Sequence, residues 1–314
     1  MYVLSIGTMV SPFGLFAKST KSRVLLKVLK TEINAGLEKP LQFLHVSDSH
    51  NVVWDDREPK QQELYKQRVR TFANATKYWN DSLEYAKSRN LPILHTGDLC
   101  DFYNSATLDF LKSNIRENIF AYAVGNHELS MRYGTFRDGL PTDEMKKNMQ
   151  NSLGYDVDIS SKIIGGLNII SLNNGYYQFT EHQLNRLNEE IKRGLPILVL
   201  CHIPIYSKEF WQEDHTVKTR KISKSKKAKH KKVLASVVGA PVELLQGCDT
   251  LIFEHRKPTS TTANVVEILQ TNPLIKGILC GHVHHTISAI LPSGAVQTCI
   301  DGGYNGWVNE VIIK

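Results

Sequence analysis

Residues 277–285 read GILCGHVHH, a short apolar run that ends in three histidines within four positions. Histidines spaced i, i+2 leave an extended chain on one side, which makes His282 and His284 candidate metal ligands. Two imidazoles do not fill a coordination sphere. A metal site therefore requires further donors at the ends of other strands.

The same grammar recurs upstream. LQFLHV (41–46) runs into SDSH, with Asp48 and His50, and LPILHT (91–96) into GDLCD, with Asp98 and Asp101. IFAYAV (119–124) is followed by GNHE, with Asn126, His127 and Glu128, and PILVLC (196–201) by His202. LNIISL (167–172) and AVQTCI (295–300) read as further strands, and residues 60–88, 105–114, 180–193 and 261–271 as helices. This alternation predicts an α/β domain with buried, largely parallel strands. Ligands of such sheets gather at the strands' carboxyl ends. Singly, each motif has a plain explanation: Gly-Asp is an ordinary turn, and a lone histidine is more often a hydrogen-bonded core residue. Five strand ends that all deliver carboxylates, imidazoles or a carboxamide do not. The mixed oxygen and nitrogen set suits Mn, Fe, Zn or Co rather than Ca. No cysteine fits it; Cys201 and Cys280 read as small core residues.

In order and spacing, the blocks D-x-H, GD, GNH[DE], H and GHxH over about residues 41–290 resemble the calcineurin-like metallophosphoesterase family. The resemblance implies a four-layer α/β/β/α sandwich of two mixed sheets, with a dinuclear metal site at the strand ends. By position, Asp48, His50, Asp98 and His284 would hold one divalent ion. Asp98, Asn126, His202 and His282 would hold the other, Asp98 bridging both. It also implies phosphoester hydrolysis by a hydroxide bridging the two metals. His127 would protonate the leaving group, with Asp101 as its hydrogen-bond partner. Glu128 is expected to hold its loop. The second block reads GDLCDFY, without the arginine of the protein Ser/Thr phosphatases or the tyrosine of the purple acid phosphatases. Phosphodiesters are therefore the expected substrates, nucleotide-like ones among them. A broad-specificity phosphomonoesterase is the alternative, and a nucleic-acid-binding module with little turnover a third reading.

The rest of the 314-residue chain sets the context. With 41% apolar and 22% charged residues it has the composition of a globular protein, and no apolar run suggests a membrane span. Residues 1–40 are expected to form a strand and helix extension of a domain over 41–314, with an amphipathic helix over 21–37. The leader lacks the basic start of a signal peptide. Five cysteines without framework spacing point to a reducing compartment, the cytoplasm by default. The nine Lys and Arg within Lys218–Lys232, in a loop expected at about 209–235, exceed the net charge of +7, so the remainder is net negative. That run reads as a solvated loop, with a polyanion contact as its functional alternative. In DGGYNGW (301–307), Tyr304 and Trp307 are candidates to line the substrate pocket, or else parts of a tight turn.

Overall fold

The structure, a computed structural model, describes residues 26–221, 236–246, 248 and 250–314. Its apolar strands alternate between two buried faces, and this alternation builds the layers. The first sheet contains β1 (Lys27–Ile33), β2 (Leu41–Val46), β3 (Ile93–His95), β4 (Ile119–Tyr122) and β11 (Trp307–Ile313). The second contains β5 (Ile159–Ile164), β6 (Leu167–Leu172), β7 (Ile197–Cys201), β8 (Ile275–Cys280), β9 (Ile287–Ile290) and β10 (Val296–Cys299). Strand order is β1-β11-β2-β3-β4 in one and β5-β6-β7-β8-β10-β9 in the other.

In β2, Phe43 enters a cluster with Leu94, Ile169, Leu198, Leu200 and Leu279, contributed by both sheets. Its neighbours Leu44 and Val46 face the other way, onto Trp79, Leu111 and Met149. Those three belong to α2 (Ala75–Arg89), α3 (Ser105–Glu117) and α4 (Asp143–Leu153). In β7, Val199 and Cys201 likewise pack with Leu187 of α5 (Glu181–Ile191) and with Val265 and Leu269 of the helix Ser260–Thr271. Three apolar interfaces thus separate four layers, helices, sheet, sheet, helices. Each fully buried Leu- or Val-sized side chain contributes about 1.5–3 kcal/mol, so the sandwich is a firm platform for the loops at one end.

The central pairs β2–β3–β4 and β6–β7–β8–β10 are parallel, as expected. β11–β2, β5–β6 and β10–β9 are antiparallel, which makes both sheets mixed. Residues 27–33, expected within a helix, form β1 in parallel register with β11. Leu29, Thr31 and Ile33 also fit a period of two, and pairing with β11 decides between the periods. The helix expected over 60–88 is two, α1 (Gln62–Thr71) and α2. The break leaves Phe72 stacked on the His50 ring, centroids 4.4 Å apart. Among the described residues no helix is long and apolar enough to cross a membrane.

Candidate metal centre

The loops leaving β2, β3, β4, β7 and β8 converge, and they do so through a device the strand alternation does not suggest. Asp48, His50, Asp98, His282 and His284 all adopt left-handed backbone, with φ between 45° and 70°. Such angles cost non-glycine residues on the order of 1–3 kcal/mol each. They turn each side chain inward from loops that continue the parallel ladder: Asp48 N donates to Gly97 O (3.0 Å), His50 N to Asp98 O (2.8 Å) and Asn51 N to Leu99 O (2.8 Å). Glycine is required where these loops touch. A Cβ on Gly281 would overlap Ser47 Oγ and Asp48 Oδ2, and one on Gly125 would overlap Asp98 Oδ1.

The donor atoms meet closely. Asp48 Oδ1 lies 3.0 Å from His284 Nε2 and 3.9 Å from His50 Nε2. Asp98 Oδ2 lies 3.1 Å from His202 Nε2 and 3.9 Å from His50 Nε2. His282 Nδ1 is 3.1 Å from Asn126 Oδ1 and 3.3 Å from His202 Nε2. Three trios lie within mutual reach of 4.8 Å: Asp48, His50 and His284; Asp48, Asp98 and His202; His50, Asp98 and His127.

Hydrogen bonds on the far side of each ring assign the tautomers. His50 Nδ1–H donates to Asp101 Oδ1 (3.0 Å) and His202 Nδ1–H to the Thr96 carbonyl (2.8 Å). His282 Nε2 meets the Tyr177 hydroxyl (2.8 Å), and Asn126 Nδ2 donates to Gly134 O (2.8 Å), which turns Oδ1 inward. In the neutral ring, Nε2 of His50 and of His202 is therefore a lone pair facing a carboxylate. Acceptor against acceptor in a buried site is repulsive unless a cation lies between. Protons answer this at two rings: burial alone would lower both, but the Asp98 carboxylate outweighs it at His202 and pushes the pKa up to about 10, and the Asp48 carboxylate outweighs it at His284 and raises that ring as well. Burial drives His50 and His282 down instead, keeping their lone pairs available. The donor set can hold two divalent cations.

Two supports differ from expectation. The buried Asp101 carboxylate bonds Arg68 of α1, Oδ2 to Nε at 2.5 Å and Oδ1 to Nη2 at 2.7 Å, together with His50. His127 Nδ1 instead meets the main-chain oxygen of Asp101 at 2.6 Å, the carboxylate standing at 3.4 Å. Glu128 accepts the N–H groups of Asp98, Gly125 and Cys100 at 2.9–3.0 Å, stitching the β3 and β4 loops together. Burial, then the nearby Asp98 charge, pushes its pKa up to about 7.

A cavity of about 390 Å³ opens beside Asp98, Asn126, His127, His282 and His284, walled by Tyr133, Arg137, Tyr176, Tyr177, Ile252 and Arg256. Arg256 Nη2 donates to Tyr177 Oη (2.7 Å) and its guanidinium lies 4.0 Å over that ring. Tyr177 itself has a left-handed φ of 66°. Arg68, Tyr177 and Arg256 carry no motif in the sequence; only the fold assembles them. Tyr304 reaches the site as a support, its hydroxyl 3.3 Å from His284 Nδ1. Trp307 is not brought there: it starts β11, with Lys27 over its ring. His285, third of the opening cluster, turns away, its Nε2 3.0 Å from Asp214 in helix α6 (Lys208–Lys221). Cys201 and Cys280 are buried core residues without a disulfide. Most of the basic run, residues 222–232, lies outside the described residues, as does the leader 1–25.

The family model of calcineurin-like phosphoesterases matches residues 41–286. Among solved structures, a dimetal phosphatase from Danio rerio is similar at 12% identity and TM-score 0.46, over 84% of this chain and 88% of that one. A 5'-nucleotidase from Candida albicans is similar at 12% identity and TM-score 0.40, over 89% and 47%. A phosphopantetheinyl hydrolase from Mycobacterium tuberculosis is similar at 13% identity and TM-score 0.33, over 87% and 91%. No curated protein matches the sequence.

Proposed function

Because the chain belongs to the calcineurin-like phosphoesterase family of metal-dependent phosphoester hydrolases, we propose that it cleaves phosphodiesters, nucleotide-like ones among them, at the site where five loops converge. The observation that carries this reading is the buried meeting of the inward nitrogens of His50, His202 and His282 with the carboxylates of Asp48 and Asp98. Asp48, His50, Asp98 and His284 would hold one ion, and Asp98, Asn126, His202 and His282 the other. When bound, two such ions supply Lewis acidity to a phosphoryl oxygen and to water.

The chain's own residues do the rest. Asp101 and Thr96 hold the outer nitrogens of His50 and His202, so each ring presents Nε2 inward. His127 stands at the cavity wall with Nδ1–H donating to the Asp101 carbonyl, so that the doubly protonated ring would hand the Nε2 proton to the departing alkoxide. General acid catalysis of this kind is worth about 10²–10⁴ in rate. Tyr133, Tyr176, Tyr177 and Ile252 give the cavity an aromatic and apolar wall suited to the organic arm of a diester. A second reading, phosphomonoester hydrolysis, is favoured by Arg137 and Arg256, cations that suit the extra charge of a monoester. Five free cysteines fit a reducing compartment such as the cytoplasm.

Initial rates on bis(p-nitrophenyl) phosphate and p-nitrophenyl phosphate, in Mn²⁺ and in chelator, test both readings. The expected result is metal-dependent turnover with the diester preferred. A monoester preference that Arg256→Ala abolishes would replace the first reading by the second.

A further inference from the structure

A larger cavity, about 670 Å³, lies where the sandwich is open, and its lining shares no residue with the metal pocket. β4 is the edge strand of one sheet and β5 of the other. Ala121 and Tyr122 come from β4, Ser160–Lys162 from β5, and Ile169 and Ser171 from β6. α3 contributes Lys112, Ile115 and Arg116, and the end of α4 contributes Leu153 and its neighbours. Edge strands present unpaired main-chain donors and acceptors, here beside a cavity large enough for a ligand of several dozen atoms.

Three features of the lining have chemical direction. Its body is apolar, with Ile115, Phe120, Leu153 and Ile169. Its charge has one sign: Lys112, Arg116 and Lys162 line it and no aspartate or glutamate does. Among the described residues neither Lys112 nor Arg116 is engaged in an ion pair, while Lys162 Nζ caps the Phe120 carbonyl at 2.5 Å. Finally, Tyr122 and Tyr155 line the cavity with aromatic rings, while their buried hydroxyls sit close to the Glu128 carboxylate.

We infer that this cavity is a second, non-catalytic ligand site, taking an amphipathic anion whose apolar body lies against Phe120 and Ile169 and whose acidic head meets Lys112, Arg116 and Lys162. No residue of its lining is a candidate metal ligand, which separates it from the hydrolytic chemistry. It is not remote from that chemistry in structure. The Glu128 carboxylate that ties the β3 and β4 loops is close enough to Tyr122 and Tyr155 to add to the effect of burial in raising both phenols.

The probe is 8-anilinonaphthalene-1-sulfonate, an apolar anion that fluoresces in apolar surroundings, titrated into the full-length metal-loaded protein. Saturating inorganic phosphate is added to fill the metal pocket. We expect one probe per chain, undisturbed by phosphate and weakened about tenfold in Lys112→Glu/Arg116→Glu. N-phenyl-1-naphthylamine, which lacks the sulfonate, should bind wild type and variant alike. Turnover and melting of the variant should match wild type, since both side chains are exposed. Competing decanoate and naphthoate then tell an alkyl from an aryl body; displacement by either supports the site. Displacement by phosphate, indifference to the charge reversal, or absence of binding would overturn it.

Discussion

Asp101→Asn separates two roles that the sequence alone merges. Burial would raise the Asp101 pKa, but hydrogen bonds from Arg68 and His50 outweigh it and hold the carboxyl down to about 2. It therefore stands as an ion between two N–H systems, Arg68 on both oxygens and His50 Nδ1 on one. Asparagine keeps one acceptor and turns an NH₂ towards one of these donors, so a charge-assisted bond worth about 1.5–3 kcal/mol is lost. If His50 loses its partner, its ring is no longer held with Nε2 inward. Outer-shell changes of this kind weaken metal affinity about 10–100-fold. The main-chain oxygen that holds His127 Nδ1 is unchanged by the substitution. Hence Asp101→Asn should need about 10–100-fold more Mn²⁺ for half-maximal rate, yet recover to within a few-fold of wild type at saturation. The assay is diester turnover against free Mn²⁺ after chelation. A rate deficit of 10² or more at saturating metal, with unchanged metal dependence, would refute this and return the Asp101 carboxylate to the role of His127's partner.

Three further outcomes are expected. His127→Ala should retain metal by elemental analysis while turning over about 10²–10⁴ more slowly; metal lost along with rate would make His127 a ligand. Gly281→Ala puts a Cβ into Asp48 Oδ2 and Ser47 Oγ, so it should purify with less metal than wild type, and normal metal content would disprove the close approach. Burial lowers His45 and His95 to about 3, while the unfolded chain titrates near 6.5. The stability they leave intact above pH 6.5 is lost as pH falls towards 3, about 2 kcal/mol per ring by pH 5. Urea unfolding of metal-free His95→Gln should accordingly show a pH slope about one proton shallower than wild type between roughly pH 5 and 6, and equal slopes would exclude a neutral His95.

Most of the strand scaffold could be read because β2, β3, β4, β6, β7 and β8 are buried on both faces and so appear as short apolar runs. The half-exposed strands were not legible in the same way. β5 and β9 carry exposed residues such as Ile163 and Ile290, and β1 hides its period of two inside a spacing that also suits a helix. The ligand loops were found by their donors, but the reasoning from i, i+2 alternation does not describe them. Asp48 and His50 come together through left-handed backbone, not through an extended strand. Arg68 is 33 residues from Asp101 in sequence, and in α1 it looks like one more solvated cation. Its role exists only once α1 packs over the β3 loop. Tyr177 and Arg256 are assembled in the same way, by contacts that no local pattern encodes.

Two kinds of stress coincide at the converging loops, and each explains why the other is tolerated. Left-handed backbone at Asp48, His50, Asp98, His282 and His284 is unfavourable locally. It persists because the loops are bonded to one another: His282 N donates to Asp48 Oδ2, His127 N to Asp98 Oδ1, Gly281 N to His202 O and Tyr304 N to Asp48 O. Those bonds fix the carboxylates of Asp48 and Asp98 against imidazole lone pairs, where relaxation apart would strain the bonding in turn. Backbone strain therefore cannot be released without breaking hydrogen bonds, and the electrostatic repulsion cannot be released without moving the backbone. Positive charge between the loops relieves the second directly and, by tying the donors together, holds the first in place. The raised pKa values of His202 and His284 are the protein's own partial answer. Two protons compensate two lone pairs, whereas Asp48 and Asp98 face a ring of four imidazoles and a carboxamide. That mismatch is why the same five strand ends that carry the strain also carry every donor a pair of divalent ions would need.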